Sequence, residues 1–150
     1  MSDLVEGVCA LVFSWPQHGP VSVLGVKGSK GLGLPGGKIE KSESPRFAVL
    51  RELAEETGYK YAVGRPLKSL PPRRADNWVL THGFELVLAG LLGTPRGSHE
   101  GEPGWFSLTD MVRSPDARFP EYYLWAFRQC LGEEALRAAG FTSEEIEKSS

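Results

Sequence analysis

Three glutamates, Glu52, Glu55 and Glu56, stand at i, i+3 and i+4 in a stretch whose local signals spell a helix. Ser44 is a good N-cap, Pro45 is tolerated at the first helical position, and Gly58 suits the left-handed residue that closes a helix. The spacing predicts a helix over residues 45–57, with Tyr59 folding back onto its last turn. At about 100° per residue, Phe47, Val49, Leu50, Leu53 and Ala54 share one broad arc, and the three glutamates converge on another beside Ala48. That convergence has a cost. Glu52 and Glu56 are an i,i+4 like-charge pair, which destabilises a helix by roughly 0.2–0.5 kcal/mol. All three acids lie near the partly negative C-terminal end, and only Arg51, set before Glu55, offsets them locally. Glu43 adds a fourth acid ahead of the helix. A divalent cation relieves the repulsion, and hard carboxylate oxygens suit Mg²⁺ or Mn²⁺. Taken alone, three clustered glutamates more often form a solvated acidic face.

The longer pattern overrides that plain reading. Residues 37–59 read G-K-I-E-K-S-E-S-P-R-F-A-V-L-R-E-L-A-E-E-T-G-Y. With U a bulky apolar residue, this stretch resembles the Nudix box, G-x5-E-x7-R-E-U-x-E-E-x-G-U. Gly37, Glu43, Arg51, Glu52, Leu53, Glu55, Glu56 and Gly58 fill its positions, and Tyr59 supplies an aromatic variant of the last. The preceding Leu34-Pro35-Gly36-Gly37 resembles the family's lead-in.

The resemblance implies an α+β Nudix fold, a mixed β-sheet sandwiched between α-helices, with residues 1–150 as a single Nudix domain. It implies Mg²⁺-dependent (Mn²⁺ accepted) hydrolysis of the pyrophosphate linkage in a nucleoside diphosphate joined to a further group X. The metal falls to Glu52, Glu55 and Glu56, with Glu43 and the Gly36 carbonyl as outer or partial ligands. Arg51 holds the glutamates by charge-assisted hydrogen bonds. The run Glu100-Gly101-Glu102-Pro103-Gly104-Trp105 resembles a loop in which such enzymes carry a further metal-binding or basic glutamate; Glu100 is favoured there, with Glu102 close behind. Glu55 or Glu100 takes the proton. The leading substrate is a nucleoside triphosphate, canonical or of the oxidised 8-oxo-dGTP type. Against it, Tyr123 in Phe119-Pro120-Glu121-Tyr122-Tyr123 stands where many relatives place a purine-reading asparagine. The alternatives are hydrolysis of ADP-ribose or another nucleotide sugar, and a non-catalytic nucleotide-sensing module. Lys27, Lys38, Arg73 and Tyr123 are the candidate substrate contacts, and Lys30 lies near Lys27 at the glycine-rich stretch.

Composition narrows the partners. The 150 residues suit one domain, and a net charge of −2 offers no basic field for a long nucleic acid. No apolar run is long enough to span a membrane, and no signal-type segment opens the chain, so a cytoplasmic setting is expected. Oligomeric state, monomer or homodimer, leaves no signature. Cys9 and Cys130 lie in apolar runs and read as buried thiols; no C-x-x-C or Cys/His cluster suggests zinc. Gly31, Gly33 and Gly36 spell G-x-G-x-x-G, but Pro35 interrupts the motif and no helix follows directly, which excludes a dinucleotide-binding turn.

The elements that must carry these groups follow from periodicity. Residues 5–13 and 21–27 read as strands, the first central, the two forming a hairpin. Residues 28–37 read as a glycine-rich loop, residues 59–63 and 66–70 as extended, and residues 71–77 as a loop with a basic centre. Residues 78–92 form a β-rich run in which Gly83 marks a bulge or a close approach, and lone His82 takes a structural partner. A short strand at 105–107, a helical turn at 108–112, helices at 119–131 and 133–139, and a capped turn from Thr142 complete the chain.

Overall fold

Strand β1 (Val5–Ser14) is the seam on which two hydrophobic cores meet. Successive side chains of a strand point to opposite faces. Val8, Ala10 and Val12 accordingly join Leu24, Phe84 and Leu86 in a core closed by helix α1 (Pro45–Thr57). Cys9 and Leu11 join a second core on the opposite face, with Leu34, Leu108, Met111 and Phe127. That core is closed by α2 (Leu108–Arg113), α3 (Pro120–Leu131), α4 (Glu133–Ala139) and α5 (Ser143–Lys148). The result is the expected α+β sandwich with helices on both faces of a mixed sheet. The computed structural model describes residues 5–16, 20–59, 62–67, 79–88 and 101–149.

The remaining strands are β2 (Ser22–Gly28), β3 (Gly31–Gly33), β4 (Gly36–Lys38), β5 (Ala62–Pro66), β6 (Val79–Leu88) and β7 (Glu102–Ser107). The main path runs β3-β2-β1-β6-β5, with β4 paired to β1 and β7 to β2. β1 and β6 pair in parallel, from Val5↔Val79 to Val12↔Leu86. β1 divides its other edge. Phe13 and Ser14 pair with β2, while Gly7, Val8 and Cys9 pair with β4. Between these partners the Ala10 N–H donates to the Pro35 carbonyl at 2.8 Å, so the glycine-rich chain is pinned along β1.

The glycine-rich stretch expected as a loop is therefore two three-residue strands with a short connection. Local turn chemistry marks the glycines but cannot show that β1 and β2 offer open edges to them. Gly36 has a specific reason to lack a side chain, since a Cβ there would stand 2.1 Å from the Val8 carbonyl oxygen. Gly83 pairs in register with Cys9 and marks a close approach, with a Cβ position 2.5 Å from the Tyr122 hydroxyl.

Helix α1 keeps its expected bounds: Ser44 Oγ accepts from the Phe47 N–H at 3.1 Å, and Gly58 closes the helix at φ 81°. Its buried arc needs correction. Phe47 is 61% exposed, whereas Ala48, Val49, Leu53, Glu56 and Thr57 are buried. At about 100° per residue Glu56 lies within roughly 20° of Val49, at the middle of the buried face. Thr57 satisfies its hydroxyl on the Leu53 carbonyl at 2.6 Å. Among the described residues no helix is long and apolar enough to cross a membrane.

Candidate active site

The site is assembled where α1 crosses β4. Glu56 is 6% exposed, and its Oε2 accepts the Gly36 N–H at 3.0 Å. Glu52 lies against the next residue: a Cβ on Gly37 would stand 2.6 Å from Glu52 Oε1. Two successive glycines thus let a strand edge and a helix approach within reach of two carboxylates. The ground behind Glu56 is apolar. Burial first and the Glu56 charge second push the Cys9 thiol far above its ordinary range, so it is an inert packing group.

Arg51 ties the acids together. Its Nε and Nη2 form a fork on Glu43, donating to Oε2 at 2.5 Å and Oε1 at 2.9 Å. Nη1 donates to Glu52 Oε1 at 3.1 Å and to Glu55 Oε2 at 3.2 Å. Nη2 also reaches the Lys38 carbonyl at 3.3 Å, which links the helix to the end of β4. The Glu40 N–H adds a bond to Glu43 Oε1 at 2.8 Å. Donation by Arg51, more than the backbone bond from Glu40, pulls the Glu43 carboxyl down to about 2. The guanidinium is raised in turn and stays charged. Arg51 thus bonds Glu43, Glu52 and Glu55 at once.

Glu52 is shifted the other way. Burial raises its carboxyl, and the Arg51 charge only partly opposes that. The Glu56 carboxyl, one helical turn on, also opposes that rise. Two ionised carboxylates have no proton to share, so such a pair calls for either a proton or a cation between its oxygens. Glu55 is turned away, 59% exposed and held by Arg51. Among the described residues no three carboxylate, imidazole or thiol groups are already gathered as a metal cage. Glu52 and Glu56 are therefore brought together, and Glu55 stands one side chain apart. The donor set, carboxylates with a glycine backbone beside them, is all hard oxygen and fits a divalent cation of the Mg²⁺ type.

A small cleft opens above this ledge, lined by Val26, Lys30, Gly31, Gly33, Leu34, Gly36, Glu56 and Arg118. The other candidate contacts fall around it unevenly. Lys27 is exposed on β2, opposite Glu102 of β7, and Lys38 is exposed on β4. Tyr123 departs from expectation. Its ring is 3% exposed, and its hydroxyl accepts from the Leu34 N–H at 3.4 Å, so it braces the cleft wall from behind. The helical periodicity that carries Tyr123 into the core, with Phe127 one turn on, is the physical reason. Glu102 is exposed at the start of β7, while Glu100 and Arg73 lie outside the described residues. His82 Nε2 stands 3.6 Å from Glu6 Oε1, beyond hydrogen-bond distance. Sequence reasoning missed Arg118, which reaches the cleft only because its segment docks beside β3; the nearest local signal is its place just before the Phe-Pro start of α3.

Comparison with known proteins agrees with this geometry. The family model for the NUDIX domain matches residues 5–127. The chain is 38% identical to an 8-oxo-dGTP diphosphatase of Escherichia coli (strain K12) over 86 residues, 53% of this chain and 60% of that one. It spans 60% or less of the length of the curated relatives it matches. A Caenorhabditis elegans Ap4A hydrolase in a binary complex superposes with a TM-score of 0.68 at 18% identity, over 92% of this chain and 100% of that one. The NUDIX domain of Shewanella oneidensis NrtR, complexed with ADP ribose, gives 0.64 at 23% identity, over 92% and 89%. At these identities the solved structures establish the fold.

Proposed function

This chain belongs to the Nudix family, and on that premise we propose that it is a Mg²⁺-dependent pyrophosphohydrolase acting on a nucleoside diphosphate joined to a further group X. The observation that carries this reading is the Glu52–Glu56 carboxylate pair, held against Gly36 and Gly37 and braced by Arg51. Nudix enzymes generally use divalent metal ions. When bound, Mg²⁺ supplies positive charge that neutralises phosphoryl oxygens and acidifies water. Glu52, Glu56 and Glu55 would hold it, with the Gly36 carbonyl and Glu43 as outer or partial ligands. Arg51 fixes Glu43 and Glu52, so that little rearrangement is left for the reaction itself. A water attacks one phosphorus, the bridging P–O bond breaks, and the phosphorylated leaving group departs. The proton of that water goes to Glu55, the exposed member of the helix's three glutamates, or to Glu100.

The leading substrate is a nucleoside triphosphate, of the oxidised 8-oxo-dGTP type, cleaved to the monophosphate and pyrophosphate. The Escherichia coli relative supports it. ADP-ribose or another nucleotide sugar is the second reading, favoured by the burial of Tyr123 and by the ADP-ribose-bound neighbour. The same reading has residues 1–150 working as one domain in the cytoplasm on a small nucleotide, with no long nucleic acid and no membrane. The test is a panel of canonical and oxidised triphosphates, ADP-ribose and dinucleoside polyphosphates with Mg²⁺, resolved by chromatography. Release of a monophosphate that EDTA abolishes supports the enzyme and selects between the substrates. Tight binding of one nucleotide with no turnover of any would replace it with a sensing module.

A further inference from the structure

Residues 116–118 run beside β3 as an added edge. The Leu32 N–H donates to the Asp116 carbonyl at 2.9 Å, and the Arg118 N–H donates to the Leu32 carbonyl at 3.0 Å. Ala117 forms a parallel bridge with Leu32. Backbone pairing thus fixes where the Arg118 side chain starts, whatever that side chain is. The glycines of β3 then fix where it lies. A Cβ on Gly33 would stand 3.3 Å from Arg118 Cδ, and one on Gly31 would stand 3.3 Å from its Cγ. The aliphatic stem rests on bare backbone and carries the guanidinium to the cleft that Glu56 and Gly36 also line. The guanidinium carbon sits 5.3 Å from the centre of the Phe119 ring, a stacking arrangement that orients the fork. Among the described residues no carboxylate lies at ion-pair distance from it.

The geometry points to Arg118 as a substrate-gripping residue that binds the phosphate chain of the nucleotide. The inference rests on the nucleotide reading above and deepens it. Of the cleft's lining only Val26 and Leu34 are bulky apolar groups, while Lys30 and Arg118 are cationic. Such a lining suits phosphate better than the flat apolar face of a base. Arginine presents a planar fork of donors matched to phosphate oxygens. It also supplies, in a cleft already holding Glu56, the positive charge that an anionic ligand needs.

Calorimetric titration separates the outcomes without turnover. Wild type, Arg118→Ala and Arg118→Lys are titrated in Mg²⁺ with two analogues whose α,β-bridge is methylene, one of dGTP and one of dTTP. Arg118→Ala should weaken both by about tenfold or more, and Arg118→Lys by less. Because the Arg118 N–H keeps its bond to Leu32, both variants should melt as wild type does; should Arg118→Ala melt early, Arg118→Lys carries the test through the same comparison. Unchanged binding by both variants would overturn this assignment alone. A loss confined to one base would overturn it in favour of a base contact. No binding of either analogue by wild type would bring down the nucleoside triphosphate reading, and this assignment with it.

Discussion

At the residue scale, the four acids of the site do not share one electrostatic role. Glu43 is an anchored anion, Glu52 a half-buried carboxyl resisting ionisation, Glu56 a buried acceptor, and Glu55 an exposed side chain. Substituting Glu56 by Gln keeps an oxygen for the Gly36 N–H but removes the charge. Turnover should fall below about one-thousandth of wild type while the fold survives; near-wild-type turnover in that variant would remove Glu56 from the metal set. Glu43 and Glu52 give opposite pH signatures. The folded-state pKa of Glu43, about 2, lies below its ordinary 4.5. Its stabilisation is therefore present above the ordinary value and lost as pH falls through the folded one. Wild type should out-melt Glu43→Gln by a steady margin near neutrality, and the margin should close between about pH 4.5 and pH 2. A margin unchanged down to pH 2 would mean that Glu43 acts through shape and not charge. Glu52 is raised, so its contribution is full below the ordinary carboxylate range and lost as pH rises through the folded value. Without a cation, Glu52→Gln should gain on wild type as pH rises, and scans in EDTA at stepped pH would read that gain.

At the element scale, β4 and α1 form one device, and their consecutive glycines do different work. At Gly36 a Cβ meets backbone, 2.1 Å from the Val8 carbonyl oxygen, so Gly36→Ala must push β4 off β1. At Gly37 a Cβ meets the end of a side chain, Glu52 Oε1 at 2.6 Å, which can move. Gly36→Ala should therefore cost about 3 kcal/mol or more in urea unfolding, and Gly37→Ala about 1 kcal/mol or less. Gly37→Ala should still lose activity, on the order of a hundredfold, because the displaced carboxylate is one of those proposed to hold the metal. Equal stability of the two variants would refute that division of labour. The contrast also shows what could be read from the chain. The bounds of α1 were legible because Ser44, Pro45 and Gly58 act within a few residues of themselves. The buried arc was not, because apolarity alone drew Phe47 inward, while β4 supplied a partner that made Glu56 worth burying. The spacing of the glutamates and Arg51 pointed to the place where α1 meets β4. Arg118 stayed hidden because its place depends on Leu32, more than eighty residues earlier in the chain.

At the scale of the whole molecule, the site straddles the joint between the two cores. β1 contributes Val8, Ala10 and Val12 to one and Cys9 and Leu11 to the other, and it pairs with β4 along the edge that meets Glu56. A cation seated on Glu52 and Glu56 would thus tie α1 to β4, and through β4 to the strand both cores share. It would also remove the cost of holding two carboxylates together beside apolar ground. Binding to the folded chain and not the unfolded one stabilises by mass action, about 2.7 kcal/mol at a hundredfold excess over Kd. For a domain of this size that corresponds to roughly 5–10 °C in melting temperature. Wild type should show this rise on adding Mg²⁺, in a single cooperative transition, and EDTA should reverse it. Glu56→Gln should lose most of the rise, since the cation would then face one carboxylate fewer where burial is deepest. Glu43→Gln should keep most of it, because Glu43 spends its charge on Arg51. A rise of equal size in wild type and Glu56→Gln would mean that Mg²⁺ binds elsewhere. The absence of any rise in wild type would leave the Glu52–Glu56 pair held by a proton and not a metal.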